Sequence, residues 1–147
     1  MSPWRERWPA PVTWWLVGLG LAGGIAAEIH AGADGWRSWV PYLLLPGAAL
    51  LSLIAMSRQS VVIDAGVLHV PGARAPLTAL GPAEVLDREQ LRLWRGPRAH
   101  RHAWVTVRPW QRGAVRLPVI DPHDDTPYWL VGSKRPAQLA RALEEHR

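Results

Sequence analysis

The chain has no cysteine, which excludes disulfide frameworks, thiolate nucleophiles and cysteine metal sites together. It has one lysine, Lys134, so its basic excess (formal net charge +5) is carried by arginine. Arginine usage beside abundant Ala, Gly and Pro is also what a GC-rich genome writes, so the basic balance alone names no partner. No Walker or Rossmann glycine pattern occurs, and no serine sits in a Gly-x-Ser-x-Gly elbow. With no catalytic signature, the chain is read as non-enzymatic, with no cofactor and no metal. Acids are missing where bases are dense: Glu89 is the only one between Arg88 and Arg116.

What is present at the front is apolar. Val12–Ile29 and Val40–Met56 are each roughly eighteen residues long, separated by the short loop Ala31–Trp39. At ~1.5 Å of rise per residue each is about long enough to cross a hydrocarbon core of ~30 Å. The whole-chain mean hydropathy of -0.06 averages this front with an arginine-rich back. Arg5, Arg7 and Arg58 flank the pair, against Arg37 in the loop, so the positive-inside rule places both termini in the cytoplasm. Trp8, Trp14 and Trp15 at one end, and Trp36 and Trp39 at the other, are expected as interface anchors, because indole has an apolar face and one donor edge. A cleaved signal peptide, with Arg5–Arg7 as basic region and Ala31-Gly32-Ala33 as cleavage site, competes with this reading. The length of the first run and the second span that follows favour two retained helices. Gly20 and Gly24 form a small-xxx-small pair, expected to pack the two helices of this hairpin together rather than two copies of the chain. Pro46 falls inside the second span. Glu28 and His30 fall at the outer end of the first, as interface residues. No charge sits centrally, so the hairpin reads as an anchor rather than a conduit.

From Gln59 onward short strand-like runs alternate with turns. Val61–Ile63 and Val67–Val70 flank Asp64-Ala65-Gly66, a hairpin signal. Arg74–Leu80 reads as a strand broken by Pro76, and Glu84–Leu86 as another. Asp87–Trp94 fits either a strand or a helical turn. Ala103, Val105 and Val107, then Val115, Leu117 and Val119, alternate with the period of two of half-buried strands. Tyr128–Val131 is a compact apolar strand. Ser133 and Pro136 open a terminal helix with Leu139, Ala140 and Leu143 on one stripe. Glu144 and Glu145 oppose its dipole, so its last turn is expected to fray. Six or seven short antiparallel strands capped by one helix are similar to bacterial PH-like domains attached to membrane helices, a likeness of architecture that implies no activity.

A second resemblance covers nearly the full length. Arg95-Gly96-Pro97, Arg108-Pro109-Trp110, and above all Asp121-Pro122 followed by Thr126-Pro127-Tyr128-Trp129-Leu130-Val131, resemble an actinobacterial membrane-protein family known only as domain of unknown function 3093 (DUF3093). Arg135-Pro136, Leu139-Ala140, Trp8 and Pro41-Tyr42 fit the same pattern, and the Thr-Pro-Tyr-Trp run is its specific part. The chain departs from that pattern at His123, Asp125 and Gly132. The resemblance implies a small integral membrane protein with no established activity, and it supplies no catalytic residues.

The expected fold class is therefore an α+β membrane protein. Residues 1–11 form a cytoplasmic N-terminus and residues 12–56 a transmembrane hairpin (spans about 12–30 and 39–57). Residues 58–147 form a cytoplasmic, antiparallel, PH-like β domain whose C-terminal helix covers about 136–146. Arg88, Arg92, Arg95, Arg98, Arg101, Arg108, Arg112 and Arg116 are the candidate binding residues, for a protein partner or for anionic phospholipid. Asp121, His123, Asp124 and Asp125 match no zinc or calcium spacing and read as Asx-type turn residues. The expected function is an accessory or scaffolding module at the inner membrane surface. The alternative is anionic-lipid or phospholigand binding by the arginine-rich face, and no nucleic acid is expected.

Overall fold

The computed structural model describes residues 4–32 and 34–147; Ala33, the last residue of the small-x-small triplet, lies outside them. The chain divides into a helical unit, Trp8–Gln59, and a discontinuous β-rich unit assembled from Met1–Arg7 and Ser60–Arg147.

In the helical unit α1 (Val12–Ala31) and α2 (Val40–Ser57) pack along one another, joined through a 3-10 turn at Gly35–Ser38. Pro at the first turn of α2 costs nothing there, since that N–H has no helical acceptor. Pro46 lies inside an unbroken helix. The contact stripe on α1 runs through Gly18, Ala22 and Ala26 at i, i+4, i+8, and Ala26 is fully buried. A Cβ on Gly18 would stand 3.2 Å from Leu53 Cδ1, whereas one on Gly20, Gly23 or Gly24 would meet nothing within 4 Å. The expected Gly20–Gly24 contact is thus not the one made. That pair lies two residues along, about 200° round the helix from the true seam at ~3.6 residues per turn. Hydrogen bonds close the base of the hairpin, Trp8 N–H donating to the Gln59 carbonyl (3.1 Å) and Ala10 N–H to Ser57 Oγ (3.1 Å).

In the β unit one sheet has the order β1-β2-β3-β4, all antiparallel, from β1 (Trp4–Arg7), β2 (Ser60–Asp64), β3 (Val67–Val70) and β4 (Ala73–Pro76). The segment expected as a plain N-terminal tail therefore carries a strand, in register with β2 from Trp4↔Ile63 to Arg7↔Ser60. The β2–β3 turn has positive φ at both central residues, 47° at Ala65 and 74° at Gly66. That is the type I′ geometry whose twist suits a two-residue hairpin. Past Pro76 the expected strand instead tightens into a 3-10 turn, Leu77–Ala79, which buries Leu77.

The second sheet, order β5-β7-β8-β6, holds β5 (Glu84–Leu86), β6 (Trp104–Thr106), β7 (Gly113–Pro118) and β8 (Tyr128–Ser133). Here the expectation of antiparallel strands fails once, because β6 runs parallel to β8. A parallel pair needs a crossover, and the chain supplies it as the β6–β7 loop, β7 itself and the 119–127 loop. All six residues of the inner strand β8 are buried. Val105 on edge strand β6 is 48% exposed, so the alternation read there does not bury its middle residue.

The ambiguous stretch after β5 is helical, α3 (Arg88–Arg95). Asp87 Oδ1 accepts from Gln90 N–H (2.8 Å) and Gln90 Oε1 accepts from Asp87 N–H (3.1 Å), a capping box that satisfies two otherwise orphaned donors. The terminal helix α4 (Pro136–Glu145) buries Leu139, Ala142 and Leu143, with Ala140 only half-buried. Its N-cap is Arg135, not Ser133. Its end is tied rather than loose: the Arg147 guanidinium donates to the Leu80 and Gly81 carbonyls at 3.0 and 2.6 Å.

Candidate functional site

Among the described residues two helices are long and apolar enough to cross a membrane: Val12–Ala31 at mean hydropathy 1.5, and Gly35–Ser57 at 1.8 with its leading turn. Their apolar side chains stand open, Leu43 at 79% and Val12 at 73% exposure. Among the expected anchors Trp14, Trp36 and Trp39 are exposed, while Trp15 is half-buried and donates to the Ala10 carbonyl at 3.3 Å. Trp8 is fully buried, so it packs as a core ring instead. At the far end His30 stacks edge-on with Trp39 (5.3 Å) and Tyr42 (5.7 Å), and its Nδ1 lies 3.3 Å from the Ser38 carbonyl.

The β unit distributes the eight arginines unequally. Arg88, Arg92 and Arg95 follow one another at i, i+4 and i+7 along α3, all exposed, while Leu91 faces the core. Arg98 and Arg101 are exposed on the loop beyond. That loop is held by a buried side chain: the Tyr128 hydroxyl accepts from His100 N–H (3.1 Å) and donates to the Arg98 carbonyl (3.4 Å). Turn bonds from Arg98 N–H to the Leu93 carbonyl and from Ala99 N–H to the Gly96 carbonyl, both 2.9 Å, fix its path. The His100 and His102 rings stand edge-on at 5.7 Å.

The remaining three arginines are set apart. Arg116 lies opposite Glu84 in the β5–β7 register and donates Nη1–H to its Oε2 at 2.6 Å. Its Cζ stands 4.3 Å from the Trp94 ring centroid and 5.4 Å from that of Tyr128, rings that themselves meet edge-to-face at 5.0 Å. With 20% of its side chain exposed, this cation is spent on one carboxylate and two ring faces, and it leaves the open basic surface. Arg108 is half-buried in the β6–β7 connection, its N–H donating to Gln111 Oε1 at 2.7 Å, and Arg112 is exposed beyond it.

Two polar arrangements escaped the sequence reading. The Gln111 side chain is buried and lies directly over Gly132, where any Cβ would overlap its carboxamide. Glu6 on β1 accepts from the buried Ser133 Oγ (2.6 Å) and from Lys134 N–H (2.7 Å), which ties the first strand to the end of β8. The Trp4/Glu6 against Arg5/Arg7 alternation was the only signal for that strand.

The acidic loop after β7 behaves as turn chemistry. Asp121 Oδ1 accepts from His123 N–H (2.9 Å) and Asp124 Oδ1 from Thr126 N–H (2.8 Å). Hydrogen bonds from the Thr126 hydroxyl and then its N–H hold the Asp124 carboxyl below its ordinary value. Among the described residues no group of three or more His, Asp or Glu side chains is placed to hold a metal ion.

Compared with known proteins, residues 3–143 match a family described as proteins of unknown function, DUF3093. No curated protein and no solved structure matches the chain.

Proposed function

We propose, for a chain that belongs to the DUF3093 family, that it is a non-enzymatic integral membrane protein of the plasma membrane. The hairpin is its anchor, and the β unit is an accessory module of PH-like architecture that docks a protein partner at the cytoplasmic surface. The observation that carries the anchoring is the pair of long apolar helices with exposed side chains, and the pairing of β1 with β2 on either side of the hairpin bears on its topology. Strands that share a ladder share a side of the membrane, so the helices between them cross as a pair or not at all. The excess of Arg5, Arg7 and Arg58 over Arg37 at the span ends favours the cytoplasmic side for that shared ladder. The linkers are short. Residues 8–11 span at most ~14 Å and residues 58–59 about 7 Å at ~3.5 Å per residue, which keeps the β unit at the bilayer surface.

Alkaline carbonate should leave the chain in the membrane pellet, and its release would contradict anchoring. A photoreactive residue at Thr78 or Ala137, both exposed and outside the arginine run, should give one discrete protein adduct in native membranes. Crosslinks to no protein at either position would contradict docking.

A further inference from the structure

The open part of the arginine run has a charge and an exposure that suit one chemistry. Arg88, Arg92 and Arg95 line one side of α3, and Arg98 and Arg101 continue on a loop fixed by the Tyr128 hydroxyl. Five guanidinium groups thus project from ordered backbone, with Glu89 the only acid in the segment beyond the Asp87 cap. Arginine's planar fork of donors suits phosphate oxygens, and backbone ordered beforehand loses less entropy on binding. Among the described residues no carboxylate forms an ion pair with these five, while Arg116, which does pair with a carboxylate, is turned onto Trp94. The short linkers at both ends of the hairpin tether the β unit to whatever bilayer holds the helices, so an anionic leaflet is a ligand always at hand for an open arginine surface.

We infer that Arg88, Arg92, Arg95, Arg98 and Arg101 form a docking surface for the phosphate headgroups of anionic phospholipid, in the same membrane that holds the hairpin. The inference rests on the anchoring proposed above and deepens it, by naming the leaflet itself as a ligand of the β unit. Attraction of this kind is worth roughly fivefold in the docked-to-free ratio for each arginine near the surface, and it weakens with salt.

The absence of cysteine allows a clean test on the full chain. Ala99→Cys, labelled with an environment-sensitive fluorophore, is reconstituted into nanodiscs of phosphatidylcholine with or without phosphatidylglycerol. A blue-shifted, brighter emission is expected only with phosphatidylglycerol, reversed by high salt. Replacing all five arginines by Gln should abolish it, while Arg135→Gln with Arg141→Gln, on α4 and its cap, should leave it intact. If the five-arginine variant misfolds, Arg92→Gln with Arg95→Gln should still lower the docked-to-free ratio about 25-fold at roughly fivefold each. Equal emission in both lipids, or emission indifferent to the arginines, overturns the inference. So does the same shift produced in phosphatidylcholine discs by inorganic phosphate or by duplex nucleic acid, since the ligand would then be something other than the leaflet. Loss of the chain from phosphatidylcholine discs would instead overturn the anchoring.

Discussion

Gly132 sits in the middle of a fully buried strand with the Gln111 carboxamide against its Cα. Gly132→Ala therefore forces a methyl into filled space, and overpacking of this kind costs about 1–3 kcal/mol. The expected outcome is a melting temperature lower by several degrees, read by circular dichroism on the full chain. In the double variant with Gln111→Ala the two losses should fall well short of adding, because the clash is then gone. At Asp124 the carboxyl is held low by the Thr126 hydroxyl and N–H. A depressed folded value means that its contribution to stability is present above the ordinary carboxylate range and is lost as pH falls through the lowered one. Thr126→Val should move the Asp124 titration, followed by NMR, back up toward the ordinary value. An unmoved midpoint would show that the Thr126 hydroxyl is not the cause.

At the scale of elements the hairpin seam is the sharpest case. Gly18→Ile places a branched side chain against Leu53 and should lower the thermal stability of the helix pair in detergent. Gly24→Ile points into open space and should not. Equal losses at both positions would contradict the seam. The small-xxx-small pattern was visible in the sequence, but which of two small stripes faces α2 depends on the rotation of α1, which composition does not encode. The helices themselves were legible because apolar length is a local property, and so were the β2–β3 turn and the inner strands β7 and β8. Strand β1 was not. Trp-Arg-Glu-Arg has little strand character alone and gains it from β2, far along the chain, and from the Glu6 bonds to Ser133 and Lys134. Likewise the arginine run was countable, but not that Trp94 and Tyr128 converge on Arg116 and withdraw it. For α3 the stretch fitted either state in the sequence, and the capping box that Asp87 and Gln90 form in the structure is the signal that the reading did not use.

For the whole molecule the consequence of β1 is topological. On the proposed anchoring, a β unit interrupted after its first strand by two apolar helices is completed only when both flanks of the hairpin lie on one side of the bilayer. The most direct measurement uses single cysteines introduced into a chain that has none. Arg5→Cys on β1, Arg37→Cys between the helices and Arg141→Cys on α4 are each expressed in the membrane of intact cells and exposed to a membrane-impermeant maleimide. The account predicts that Arg37→Cys labels at once, and that Arg5→Cys and Arg141→Cys label only after permeabilisation. Labelling of Arg5→Cys and Arg141→Cys from opposite sides, or of all three from the same side, would contradict it.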